Sequence, residues 1–226
     1  MCCIGIVGLG HIGSLLASKI GRHQLIIVSR NIDKSWVLAG KAGATLTSDL
    51  NLLRFTDVVF LTLPSDVTAD MAKKLDSILN EDAVIVNLAT SVSLDDLKKA
   101  VAPTRQLVSA TIVGSAPGIA KGENTVVILS PLTEQALFKV MPLFAGFASV
   151  SVGDENLGKA INTIAAREAI RTYAKVKEEL ERIGVCEELI QVALSNVCAG
   201  TLQAVSKGNL GAFGQAVLED IQRESK

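Results

Sequence analysis

The sequence predicts an α/β fold: a mostly parallel sheet covered by helices over residues 1–153, then a small all-α domain over residues 154–226. Three observations predict it. Through the first two-thirds of the chain, short apolar runs alternate with segments of helical period, the pattern of strands buried on both faces by crossover helices. A cluster of glycines stands between the first apolar run and the first helical segment, where a strand-to-helix turn belongs. Beyond residue 153 the apolar residues recur at helical spacing only.

The first strand is the apolar run ending at Val7. It leads into Gly8-Leu9-Gly10-His11-Ile12-Gly13, the spacing G-x-G-x-x-G. In that spacing Gly8 permits a tight turn, Gly10 lets a pyrophosphate approach the backbone, and Gly13 lets the following helix pack against the strand. The helix is expected over residues 14–20, stopped by Gly21. Its first turn offers free N–H groups and the positive end of the helix dipole to phosphates. With a second strand over residues 25–29, these elements make a Rossmann-type dinucleotide-binding unit. Gly8, Gly10, His11, Ile12 and Gly13 are its candidate cofactor contacts.

The end of the second strand chooses the nucleotide. An NAD-binding unit carries Asp or Glu there to hold the ribose 2′-hydroxyl. This chain carries Ser29, Arg30 and Asn31. A carboxylate would repel a 2′-phosphate, whereas a hydroxyl, a guanidinium and an amide receive one. NADP is therefore expected over NAD. The alternative at this position is a solvated Arg30 beside an Asn31 that only caps the next helix. Asp33 stands close enough to compete for the cation.

That helix is expected over residues 32–42, followed by strands over 44–47 and 57–63, the latter ending at Pro64. Ser65 is expected to cap the next helix, which runs to residue 79. A strand over 83–88 follows, and Ser93-Leu94-Asp95-Asp96 reads as a capping box opening a helix to residue 100. Strands over 107–113 and 125–129 enclose a loop rich in glycine and proline, residues 114–122. A helix from Thr133, kinked at Pro142, and a strand over 148–152 complete the sheet. Ligands of open parallel sheets bind beyond the carboxyl ends of the strands. Leu63, Pro64, Ala89 and Thr90 therefore join the cofactor set, and residues 115–122 form the candidate substrate loop.

The tail places Leu157, Ile161, Ile164, Ala165, Ala169, Thr172, Val176, Leu180 and Ile183 at helical spacing, up to Gly184. A second helix is expected over 187–206 and a third carrying Leu210, Phe213, Val217 and Ile221. So short a helical domain buries too little surface to stand securely alone. Two tails packed across a two-fold axis, a homodimer, is the expected remedy.

Composition bounds the partners. Nearly half the residues are apolar (49%) and a fifth are charged (20%), as in a soluble globular chain with a large core. The formal net charge of −1, with no strongly basic stretch, points away from nucleic acid and anionic membranes. No apolar run of membrane-spanning length is expected, and the first strand begins almost at once, so the expected location is cytoplasmic. The four cysteines, Cys2, Cys3, Cys186 and Cys198, include no C-x-x-C pair, and His11 and His23 lie near neither later one. They read as small hydrophobes, with no metal site.

Several segments resemble the pyrroline-5-carboxylate reductase family. They are residues 8–13, the strand end Val28-Ser29-Arg30-Asn31, Phe60-Leu61-Thr62-Leu63-Pro64, and Asn87 to Leu94 with the acidic helix after it. Residues 184–208 also look like that family's dimerisation helices. The resemblance implies a Rossmann-type domain with a C-terminal dimerisation domain, NADP as cofactor, and reduction of a small imine on the way to proline. The chain departs from the family early in the long helix, where Ile164-Ala165-Ala166-Arg167-Glu168 replaces a Ser-Gly-Ser-Gly-Pro-type segment. It also lacks a late Ser-Pro-Gly-Gly-Thr-Thr segment. The neighbouring 3-hydroxyacid dehydrogenase family is similar in residues 8–13 and in loop 114–122. Its catalytic lysine lies on the long helix with an asparagine one turn on, which implies Lys159 and Asn162 as catalytic residues here. An ungapped reading from Gly153 instead puts Asn162 at the lysine position. Prephenate dehydrogenases are a weaker likeness, since that likeness would call for a histidine near the loop after the sixth strand and this chain has none there.

Hydride transfer from a nicotinamide to a small carbon electrophile needs position and charge from the protein. An imine that arrives protonated needs little acid help, whereas a ketone needs a donor. Lys159, Asn162 and His11 are the candidates, His11 also being a plain occupant of its motif position. Arg167 and Glu168 read as charges in a local or intersubunit ion pair and Tyr173 as a packing residue. Two readings without catalysis remain open: an NADP-binding regulatory protein, and an assembly subunit that uses its helical tail to hold a partner.

Overall fold

A computed structural model describes residues 2–20 and 23–224, so the helix stop expected at Gly21 lies outside the described residues. The chain divides into two compact units, residues 1–162 and 163–226.

The first unit begins with β1 (Cys3–Val7), α1 (His11–Lys19), β2 (Gln24–Val28), α2 (Ile32–Lys41) and β3 (Thr45–Thr47). A 3-10 helix over Leu50–Phe55, not foreseen from the sequence, leads into β4 (Val58–Leu61) and α3 (Ser65–Asp76). Then come β5 (Val84–Asn87), α4 (Leu94–Ala100), β6 (Gln106–Val113), α5 (Ala116–Ala120), β7 (Val126–Pro131), α6 (Glu134–Phe144) and β8 (Ser149–Val152). Among the described residues these strands form one sheet in the order β3-β2-β1-β4-β5-β6-β7-β8. All neighbours run parallel except β6 and β7, which are antiparallel.

The inner strands β1, β2, β4, β5 and β6 are nearly continuous buried runs because both faces of the sheet are covered, while the edge strands β3 and β8 have no buried residue. Ile4, Ile6 and Phe60 point to one core with Leu16, Ile27 and Phe144. Val7, Val59 and Leu61, from alternate positions of the same strands, point to the other with Leu75, Ile85 and Leu97. The Phe60 and Phe144 rings meet edge to face, with centroids 5.7 Å apart, a favoured aromatic geometry. Period-two exposure is thus absent, and apolar runs rather than alternation mark these strands.

Side-chain caps mark where several helices start. The Asn31 side chain accepts from the Lys34 N–H at 3.0 Å to open α2, and Thr133 does the same for Ala136 in α6. The capping box expected at Ser93 and Asp96 is present. The cap expected from Ser65 is not. Pro64 holds that position and Ser65 is the first helical residue, because proline's fixed φ suits the point where a chain enters a helix. Loop 114–122 is also not wholly irregular. It folds into α5, with the Ser115 hydroxyl accepting from the Gly118 N–H at 3.1 Å. Helix α1 begins at His11, earlier than expected, so His11, Ile12 and Gly13 are helical.

Helix α3 is fastened at its C-terminus by a buried arginine. Arg105 Nε donates to Asp76 Oδ1 at 2.6 Å, and the rest of its guanidinium donates to the Asp76 and Asn80 carbonyls at 3.0 and 2.6 Å. The other Asp76 oxygen accepts from the Ala102 N–H at 2.8 Å. These bonds occupy carbonyls that a helix end leaves without partners.

Helix α7 (Glu155–Arg182) contributes its first two turns to this unit. The Glu155 carboxylate accepts from the Leu94 N–H at the start of α4, at 3.2 Å. A side chain at Gly158 would meet Thr111 at 2.6 Å, so a glycine there lets α7 approach β6 closely.

The second unit comprises the rest of α7, α8 (Glu187–Val192), a π-helical stretch over Ala193–Cys198, α9 (Ala199–Ser206) and α10 (Ala212–Glu224). The sequence pattern indicates one helix over 187–206, and the π-stretch, which no side-chain period reveals, interrupts it. Leu210 precedes α10 rather than lying on it. Helices α7 and α8 join across Gly184, whose φ of +81 suits glycine. Lys177 on α7 pairs with Glu187 on α8 at 3.2 Å. Among the described residues of this unit only Ile190 and Leu194 are buried apolar side chains, while Phe213 is 84% exposed and Ile164, Ile170 and Val197 are exposed too. Against the expectation of no membrane-length apolar segment, Glu187–Ser206 has the length and, at 1.3, the mean hydropathy of a helix that could cross a membrane.

Candidate functional site

The strand order reverses direction at β1: the chain goes outward through β2 and β3, then returns to place β4 on the other side of β1. Such a switch point opens a crevice at the carboxyl ends of the strands. Val7 is level with Val28 on one side and Leu61 on the other, so the residues that follow them emerge together. Gly8 N–H donates to the Val28 carbonyl at 3.0 Å, and the Thr62 hydroxyl donates to the Gly8 carbonyl at 2.8 Å. The turn is thereby held from both neighbouring strands.

Each glycine of the turn has its own reason. Gly8 has φ +101, and a Cβ there would stand 2.7 Å from the Thr62 carbonyl oxygen. A Cβ on Gly13 would run into the Gly8 carbonyl, so α1 packs directly on the turn. Gly10 is different, with φ −75 and nothing within 4 Å of its Cβ position. It faces open space. It is also the N-cap of α1, where no side chain caps the helix and no acidic residue stands in the first turn. The N–H groups of α1 are left for a ligand.

That space is a cleft of about 500 Å³, within the range of small-molecule sites. Of the residues expected to hold a cofactor, Gly8, Gly10, Ser29, Arg30, Asn31, Leu63 and Pro64 line it. His11, Ile12 and Gly13 lie just inside α1 and are not part of its lining, with Gly13 buried and His11 exposed. Ala89 is buried in the core below the turn after β5, where it brackets the Asn87 side chain: Ala89 N–H donates to Asn87 Oδ1 at 2.9 Å. Thr90 beside it is exposed. Lys159 is half-buried one turn from Asn162 on α7. Asn162 Nδ2 donates to the Ile112 carbonyl at 2.9 Å, near the carboxyl end of β6.

The three side chains after β2 are not equally available. The Ser29 hydroxyl receives a hydrogen bond from Ser35 at 2.7 Å and from the Asn31 N–H at 3.2 Å. Asn31 caps α2, as the alternative reading allowed. Arg30 is exposed and has no ion-pair partner among the described residues. Sequence reasoning missed the opposite wall of the cleft, Val67, Asp70, Met71 and Lys74. Their spacing puts them on one face of α3, and the helix after β4 is the one a switch point turns toward the crevice. That combination was the available signal.

Residues 3–90 match the family described as NADP oxidoreductase coenzyme F420-dependent. Against the pyrroline-5-carboxylate reductase of Escherichia coli (strain K12), 157 residues align at 24% identity, covering 66% of this chain and 58% of that protein. The chain therefore aligns with less than two-thirds of the length of that relative. The structure of Plasmodium falciparum pyrroline carboxylate reductase with NADP bound superposes with a TM-score of 0.67 at 14% identity, covering 99% of this chain and 90% of that one. The Streptococcus pyogenes 1-pyrroline-5-carboxylate reductase gives 0.70 at 17% identity, covering 98% and 91%. The fold is that of the pyrroline-5-carboxylate reductases. As in a pyrroline-5-carboxylate reductase-like chain, a Rossmann-type sheet precedes C-terminal helices, and the match to the oxidoreductase family covers the strands and turns that build the cleft.

Proposed function

We propose that the chain is an NADPH-dependent oxidoreductase that reduces a small imine, with pyrroline-5-carboxylate or a close relative as substrate. One observation carries the nucleotide part: an uncapped α1 N-terminus and an Arg30 with no ion-pair partner among the described residues face the same cleft, with no carboxylate at the end of β2. The likeness to pyrroline-5-carboxylate reductases supports the imine. Gly8 and Gly10 would admit the pyrophosphate to the backbone, Arg30 would receive the 2′-phosphate, and Leu63 and Pro64 would pack on the dinucleotide. When bound, the dinucleotide supplies the hydride. The chain's own residues then have to hold the substrate and exclude water. Asn162 is fixed by its bond to Ile112, leaving its carbonyl oxygen free to orient a substrate N–H. Residues 114–118 would offer backbone N–H groups to a carboxylate, though Gly118 already gives its own to the Ser115 hydroxyl.

A second reading has an observation of its own. Lys159 and Asn162 share one side of α7 near the end of β6, the lysine–asparagine pair that a 3-hydroxyacid dehydrogenase-like enzyme would use on a ketone. The deciding experiment is NADPH oxidation with pyrroline-5-carboxylate beside a simple 3-oxo acid. Turnover of the imine supports the first reading. Turnover of the oxo acid alone, lost in Lys159→Ala, supports the second. Tight NADPH binding without either turnover leaves a nucleotide-binding regulator.

The second unit completes the proposal as a homodimerisation domain in a cytoplasmic enzyme. Its apolar side chains are mostly uncovered, and Glu187–Ser206 carries Gln191, Ser195, Asn196, Thr201 and Gln203 among them. Polar residues at that density suit a helix interface better than a lipid-facing span.

A further inference from the structure

We propose that Lys74 is a second cation reading the 2′-phosphate, so that nucleotide choice rests on two residues from opposite sides of β1: Arg30 after β2 and Lys74 on α3. This rests on the NADP reading above and extends it to a helix no motif marks. Both residues line the one cleft at the Gly8 turn. The strand order puts them on its two sides, because β2 and β4 flank β1.

The need for a second cation comes from the neighbours of the first. Of the three side chains after β2, the Ser29 hydroxyl is engaged with Ser35 and with the Asn31 N–H, and Asn31 caps α2. Asn31 keeps its neutral amide N–H groups, so Arg30 is the only cation of the three left to face a phosphate carrying roughly −1.5 to −2 charges. Asp70 lies on the same wall of α3 as Lys74, one turn earlier, and would repel that phosphate. Lys74 both offsets Asp70 and supplies the missing charge. It is exposed and, among the described residues, has no ion-pair partner, whereas Lys98, Lys99, Lys175 and Lys177 are all paired with carboxylates. A lysine suits the role because its ammonium is a point charge on a flexible stem and needs no fixed geometry.

The test is equilibrium binding of NADPH, NADH, adenosine 2′,5′-bisphosphate and 5′-AMP to the full chain and to Lys74→Gln, Lys74→Arg, Arg30→Ala and Lys73→Gln. The expected result is that Lys74→Gln weakens NADPH and the bisphosphate about five- to tenfold, as a partly solvated charge-assisted contact should. NADH and 5′-AMP stay within about twofold, Lys74→Arg keeps the preference, and Lys73→Gln, outside the cleft lining, does nothing. Equal weakening of both nucleotides by Lys74→Gln, or no weakening where Arg30→Ala abolishes the preference, overturns the role of Lys74 and leaves the NADP reading standing. A wild-type chain that binds NADH as tightly as NADPH overturns the NADP reading, and the role of Lys74 with it.

Discussion

Gly10 is the residue at which folding and the proposed dinucleotide binding can be tested apart. Its φ of −75 is one any amino acid adopts, and its Cβ position is open, so a side chain there strains nothing. Gly10→Val is expected to fold with an unchanged thermal midpoint and to lose dinucleotide binding, because the valine would occupy the place of the pyrophosphate. Titration calorimetry beside a melting curve checks both halves. The same substitution at Gly13 should fail to fold, since a Cβ there collides with the Gly8 carbonyl. Cys2 is half-buried just before β1. Burial, helped by a hydrogen bond with Asp57, pushes its thiol up to about 12, which marks a packing residue and not a nucleophile.

At the scale of the element, α3 depends on one arginine from outside it. Arg105→Ala would strand Asp76 and the last carbonyls of the helix in a largely buried place, and is expected to cost about 3–5 kcal/mol, read by urea denaturation. Helix α4 offers a pH test. The Ser93 hydroxyl and backbone N–H, with Lys99 beyond them, hold Asp96 below its ordinary 3.8. A carboxylate depressed in the folded state adds stability above its unfolded value and loses it as pH falls through the folded one. Stability should therefore drop on acidification over that range, and Asp96→Asn should flatten this part of the curve, measured as thermal midpoint against pH. These elements also show what a sequence can reveal. The glycine turn, the Ser93 box and the 28-residue α7 are written in local spacing, so they were legible. The Arg105 clasp, the α3 wall of the cleft and the bond from Asn162 to Ile112 join residues far apart in the chain, and no local pattern encodes them. Ser65 misled because a serine beside a proline satisfies two capping rules, and the proline's fixed φ won. The π-stretch was invisible because its residues still look helical.

At the scale of the whole molecule, the two units differ in how well they are closed. The first buries both faces of its sheet, whereas the second leaves most of its apolar side chains open. Sedimentation at micromolar concentration is expected to show a dimer, and Phe213→Asp with Ile170→Asp to shift it toward monomer. A wild-type monomer would contradict the dimerisation domain. The strand order has a consequence in time as well. β1 lies between β2 and β4, and its pairing partner Val58 is far along the chain from Ile4. The Gly8 turn is finished only when the Thr62 hydroxyl reaches the Gly8 carbonyl. A nascent or refolding chain therefore has no dinucleotide pocket until β4 has crossed over and docked, and the cofactor cannot act as a template for the sheet that binds it. Stopped-flow measurements with saturating NADPH should leave the refolding rate as it is and slow unfolding, the kinetic mark of contacts formed after the transition state.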